Sequence, residues 1–70
     1  MDRETLVKLM AVRPFEPFEV RMSNGEVHRV KHPEVALLTK NKLLVYDPET
    51  DNLDILSLLH VNRASQLQKT

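Results

Sequence analysis

Two of the four prolines and the only glycine fall between Arg13 and Glu26, and their placement restricts the chain to short elements joined by sharp reversals. Proline lacks a backbone N–H and drives the residue before it out of the helical region. Pro14 therefore ends any helix arriving from the N-terminus near Arg13. Pro17 repeats the break and suits the first position of a strand, where its missing donor does little harm. Phe18, Val20 and Met22 then alternate with Glu19 and Arg21. A period of two puts the apolar set on one face and the charges on the other. Asn24-Gly25 follows at once, and both residues tolerate the positive φ that a tight hairpin turn requires.

Upstream of this stretch, Asp2 can cap a helix and Glu4 complements the positive end of its dipole. Leu6, Val7, Leu9 and Met10 share one side at helical spacing, which predicts a helix over about residues 3 to 12. Two or three turns are marginal alone, so the helix is expected to dock as a lid on a sheet.

Downstream, the second strand runs from Glu26 to about Lys31, and its parity conflicts with its composition. A two-residue turn pairs Met22 with Val27 in the core, but alternation then turns Arg29 inward and Val30 outward. A β-bulge between Val27 and Val30 would return both valines to the core side and bend the strand. A three-residue loop with the bulge at Gly25 competes with it and leaves Val27 exposed. His32-Pro33-Glu34 reads as a turn, Val35 to Thr39 as a strand, Lys40-Asn41-Lys42 as a reversal and Leu43 to Tyr46 as a further strand. Asp47 to Asn52 is a loop by composition. Leu53 to Leu58 is read as a strand, although residues 53 to 64 also fit a helical period. Leu59-His60 is a tight turn, Val61 to about Ser65 a last short strand, and Gln66 to Thr70 a polar tail expected to fray. The expected fold is mainly β (α+β): one domain over residues 1–70, with an N-terminal helix and then four to five antiparallel strands in a bent sheet or a small barrel.

Arg13-Pro14-Phe15-Glu16-Pro17-Phe18, then Asn24-Gly25, His32-Pro33-Glu34 and Ile55-Leu56-Ser57-Leu58-Leu59-His60-Val61 together resemble a family of short uncharacterised bacterial proteins over nearly the whole chain. The order of elements is more loosely similar to Sm-like domains, including bacterial Hfq. That second resemblance implies a five-stranded, SH3-like barrel, assembly into a ring and RNA as a ligand.

Composition narrows the chemistry. Ten basic residues balance ten acidic ones, so no overall field draws the chain to nucleic acid or an anionic membrane. There is no cysteine, which excludes disulfides, thiolate metal sites and a cysteine nucleophile. The charged start, Met1-Asp2-Arg3-Glu4, lacks the apolar core of a signal peptide, and no apolar run reaches membrane-spanning length. A cytoplasmic location without membrane contact is the expectation. His28, His32 and Glu34 are conceivable metal ligands, but on a regular strand the two histidines lie roughly 13 Å apart. His60 reads as a hydrogen-bonded structural histidine. Ser23, Ser57 and Ser65 have no base or orienting acid in a recognisable arrangement. Asp47, Glu49, Asp51 and Asp54 offer oxygen ligands at alternate positions, as a calcium loop does, but lack its central glycine and terminal glutamate. No catalytic, cofactor-binding or metal site is expected.

Two functions remain. The first is a non-catalytic protein-interaction or assembly module. The second is an RNA-binding module using Arg21, Arg29, Lys31, Lys40 and Lys42, whose bland alternative is edge protection by lysine. Self-association is expected because Leu43-Leu44-Val45-Tyr46 and Leu58-Leu59 put apolar groups on both faces of their strands, more than one sheet and one short helix can cover. Pairing of the Leu53 to Leu58 edge with a neighbouring copy would bury them.

Overall fold

The computed structural model describes residues 2–67. One helix is followed by six strands in two three-stranded antiparallel sheets. The helix α1 covers Arg3–Ala11, and Asp2 Oδ1 accepts from the Glu4 N–H at 3.1 Å, as its N-cap position requires. At the other end the Arg13 guanidinium donates to the Met10 and Val12 carbonyls. These are acceptors that a helix terminus leaves without partners. Leu6 is fully buried, and Leu9 and Met10 pack against the core. Val7 is 39% exposed, so the apolar stripe is narrower than its spacing suggests. The helix packs on the last strand, and Arg3 Nε donates to the Thr39 carbonyl at 3.0 Å.

The first sheet has the order β2-β1-β6, from β1 (Phe18–Met22), β2 (Val27–Val30) and β6 (Val61–Gln66). Phe18, Val20 and Met22 are buried on the inner face, while Glu19 and Arg21 point outward. The register resolves the parity conflict in favour of the competing solution. Phe18 faces Val30 and Arg21 faces Val27, so the connection is the three-residue loop Ser23-Asn24-Gly25, closed by Gly25 N to Met22 O and Met22 N to Glu26 O. Val27 is exposed and Val30 fully buried. Regular alternation then keeps Arg29 outside, and β2 needs no bulge. The bulge stands in β6 instead. Met22 faces Val61 and Arg21 faces Arg63, which leaves Asn62 as the extra residue. Val61 and Ala64, three apart, both turn inward because of it.

Gly25 carries φ +92°, and a Cβ added there meets nothing within 4 Å. Any penalty for a side chain is therefore backbone strain. Gly25→Ala is expected to destabilise the domain by about 1–2 kcal/mol, and Gly25→Asn by less. Thermal melts should show a Tm lower by roughly 4–8 °C per kcal/mol.

The second sheet has the order β3-β4-β5, from β3 (Ala36–Leu38), β4 (Lys42–Asp47) and β5 (Asn52–Ser57). Two 3₁₀ turns link the sheets: Pro33–Val35 between β2 and β3, and Leu58–His60 between β5 and β6. Residues 53 to 64 are thus two strands about a single turn, and the helical alternative is excluded. The core between the sheets holds Phe18, Val20, Val30, Leu43, Val45, Leu56, Leu58 and Val61 with Leu6. Six strands form where the expected fold has four to five: each of the six segments read as a strand along the chain pairs, including the short last one, Val61–Gln66, which pairs with β1. The sheets are not closed into a barrel. Of the tail expected to fray, Gln66 ends β6 and the Leu67 N–H donates to the Pro17 carbonyl at 3.0 Å; residues 68–70 lie outside the described residues.

Candidate functional site

Three surfaces stand out. The first is the outer face of the second sheet. Leu37 pairs with Leu44, Leu44 with Ile55, and Tyr46 with Leu53. These five side chains share a face by the two-residue period. Leu37, Leu53 and Ile55 are 61%, 56% and 59% exposed. The helix packs on β6 and leaves them open. The face has charged margins of opposite sign. Lys40 and Lys42 stand at the β3–β4 reversal, and Asp47, Glu49 and Asp51 stand at the β4–β5 loop, at the other end of β4.

The second surface is a cleft of about 380 Å³ between the edge strand β2 and the end of β4 with its following loop. Its lining includes His28, Arg29, Lys31 and His32 on one side and Asp47, Glu49 and Asp54 on the other. His28 pairs with Val20, which turns it toward the space between the sheets. Its Nε2 lies 3.4 Å from Glu26 Oε1 and its Nδ1 3.6 Å from Asp54 Oδ2. The sequence grouping of His28 with His32 and Glu34 therefore fails. Glu34 lies in the 3₁₀ turn, and His28 meets Asp54 from a distant strand. Among the described residues no group of three or more His, Cys, Asp or Glu side chains could hold a metal ion.

The third surface is the outer face of the first sheet, with Glu19, Arg21, Arg29, Arg63 and Ser65. The five basic candidates divide between the sheets. Arg21 and Arg29 stand on this face, and Lys31 follows β2 into the cleft. Lys42 begins β4 and Lys40 lies in the turn before it, both in the second sheet. Arg63 is absent from the sequence-based candidates because its side of β6 depends on the bulge at Asn62. Arg29 Nε lies 3.7 Å from Glu19 Oε2.

The other candidates have structural roles. His60 is exposed in its 3₁₀ turn, and its carbonyl, rather than its ring, accepts from the Ser23 N–H. Asp47 Oδ1 accepts from the Glu49 N–H at 3.0 Å and shapes the loop. Asp51 Oδ1 accepts from the Tyr46 hydroxyl at 2.9 Å, on a backbone at φ +55°. That hydrogen bond raises the Tyr46 pKa above its ordinary value, with smaller contributions from desolvation and the Asp47 charge. Tyr46 is the only tyrosine, so absorbance titration reads it directly. Its midpoint should lie above 10, the ordinary value, and should fall in Asp51→Asn, which removes the charged acceptor.

No helix among the described residues is long and apolar enough to cross a membrane. Comparison with protein families, with curated proteins and with solved structures finds no match to this chain.

Proposed function

We propose that the chain is a non-catalytic assembly module whose first partner is a second copy of itself. The observation that carries this is the outer face of the second sheet, where Leu37, Leu44, Tyr46, Leu53 and Ile55 form one apolar surface across three strands. Contiguous patches of this kind mark interaction sites. The partner must be equally apolar at the centre, and another copy meets that demand. The margins favour the same partner. If two faces pack with β4 antiparallel about a two-fold axis, Lys40 and Lys42 of each copy approach Asp47, Glu49 and Asp51 of the other. Such an arrangement is isologous and closed. The formal net charge of zero adds no long-range repulsion.

Face packing is a better route than edge pairing. Asp54 on the edge strand β5 turns inward to His28, and an inward-pointing charge is a device that blunts a sheet edge. The resemblance to Sm-like domains implies a ring instead of a dimer. Light scattering coupled to size exclusion at micromolar concentration tests the proposal. A dimer mass is the expected result, a larger closed ring would support assembly by another contact, and a monomer mass at all concentrations would end the reading. Lys40→Glu with Lys42→Glu should weaken the dimer, because the substituted margins then repel. The RNA-binding reading is second: its residues are shared out between two sheets. Salt-dependent RNA retention lost in this same double variant would favour it.

A further inference from the structure

We propose that Arg21 and Arg63 form a binding site for a dianionic phosphate group, on the sheet opposite to the assembly face. The two arginines are direct cross-strand partners in β1 and β6. Like charges placed directly opposite each other destabilise a sheet. Among the described residues neither guanidinium has an ion pair or a side-chain hydrogen bond. The juxtaposition is produced by the bulge at Asn62. Without that extra residue, Arg63 would face Val20 on the inner side of the sheet, and Arg21 would face asparagine.

The pair opens onto a depression of about 370 Å³ lined by Glu19, Arg21, Arg63, Ser65, Gln66 and Leu67. Ser65 and Gln66 supply further hydrogen-bond donors. Glu19 would oppose an anion, but Arg29 on β2 stands beside its carboxylate. Three arginines and one glutamate leave this face with two uncompensated positive charges. That balance matches a phosphate monoester or inorganic phosphate near neutral pH, and it exceeds the single charge of a phosphodiester. Arginine forks suit the geometry of phosphate oxygens. The ligand neutralises a repulsion built into the sheet, so its binding is coupled to the stability of β6.

Amide NMR titration at constant ionic strength and slightly alkaline pH tests the site, with inorganic phosphate and dimethyl phosphate as probes. Inorganic phosphate should give saturable shifts centred on residues 19–21 and 63–66, and dimethyl phosphate should give much weaker ones. Arg21→Gln and Arg63→Gln should each weaken phosphate binding about tenfold or more. Glu19→Gln should strengthen it, and Lys31→Gln, in the other cleft, should leave it unchanged. Without phosphate and at low salt, Arg63→Gln should melt at or above the parent temperature, since it removes a like-charge contact. That melt also shows that the variant folds. Shifts that do not saturate, that chloride reproduces, or that survive both arginine substitutions would overturn the proposal. Equal binding of dimethyl phosphate would overturn the preference for a dianion.

Discussion

Phe18→Ala is expected to leave most of the chain unfolded in water at room temperature. Phe18 opens β1, the central strand of the first sheet, and it is the largest fully buried side chain. Its ring lies 6.1 Å from that of Phe15, centroid to centroid, tilted by 59°, a separation typical of favourable aromatic pairs. It faces Val30 on one side and the end of β6 on the other. Truncating a buried phenylalanine costs about 3–5 kcal/mol. A single core in a domain this small rarely supplies more than about 3–5 kcal/mol of net stability, so the loss removes most or all of it. The core offers little compensation, since there is no tryptophan and Phe15 is only half-buried. Urea titration followed by circular dichroism should show the folded baseline lost or the midpoint moved close to zero denaturant. Phe15→Ala should shift the midpoint much less. An unchanged midpoint for Phe18→Ala would contradict its place in the core.

The features legible in the sequence are local ones. Asp2 caps the helix, the prolines end it, and Phe18-Val20-Met22 alternate because one face of β1 is buried. The loop from Asp47 to Asn52 separates β4 from β5 in a hairpin with Tyr46 opposite Leu53. Sequence and structure part where one residue of register decides a strand's facing. Asn24-Gly25 has the composition of a two-residue turn, yet Gly25 at positive φ sits third in a three-residue loop. That single added residue exposes Val27 and removes the reason for a bulge in β2. The same spacing of three, Val61 to Ala64, does carry a bulge in β6, because Met22 and Val20 on β1 require both residues inside.

The apolar excess of β4 and β5 is visible in composition, and its division into inner and outer sets follows from the pairings. Leu43, Val45 and Leu56 enter the core, while Leu44, Tyr46, Leu53 and Ile55 face outward. The charged surfaces are harder to foresee, since each depends on contacts distant in sequence. His28 meets Asp54 across the gap between the sheets, and Arg21 meets Arg63 only through the first sheet's outer pairing. The order of basic residues along the chain cannot separate Arg29, beside Glu19, from Arg21, which has an arginine opposite.

If the chain dimerises as proposed, Ile55→Glu is expected to convert the dimer to monomers without unfolding them. Ile55 stands across from Leu44 near the middle of the apolar face and is 59% exposed in the single chain. In a monomer the new carboxylate reaches water, and an exposed substitution of this kind changes stability within about 0.5 kcal/mol. In the face-to-face dimer it would be buried against Leu44 and the apolar face of the second copy, and Lys42, its diagonal neighbour across the strands, would offset only part of the cost. Burying a charge without a well-made partner is strongly unfavourable, and the two-fold axis introduces the defect twice. The dissociation constant should rise by at least about a hundredfold, equivalent to about 2.7 kcal/mol. Leu59→Glu is the matched control. Leu59 is 90% exposed, but it belongs to the 3₁₀ turn between the sheets and lies off this face. It should leave the mass unchanged, whereas a mechanism driven by general surface hydrophobicity would respond to Leu59 at least as strongly as to Ile55. Light scattering over a dilution series reads the mass of each variant. Because a partner that binds only the folded chain raises its apparent stability, the parent protein's melting temperature should rise with protein concentration, and that of Ile55→Glu should not. If the parent forms dimers and Ile55→Glu retains them, the interface lies elsewhere on the molecule.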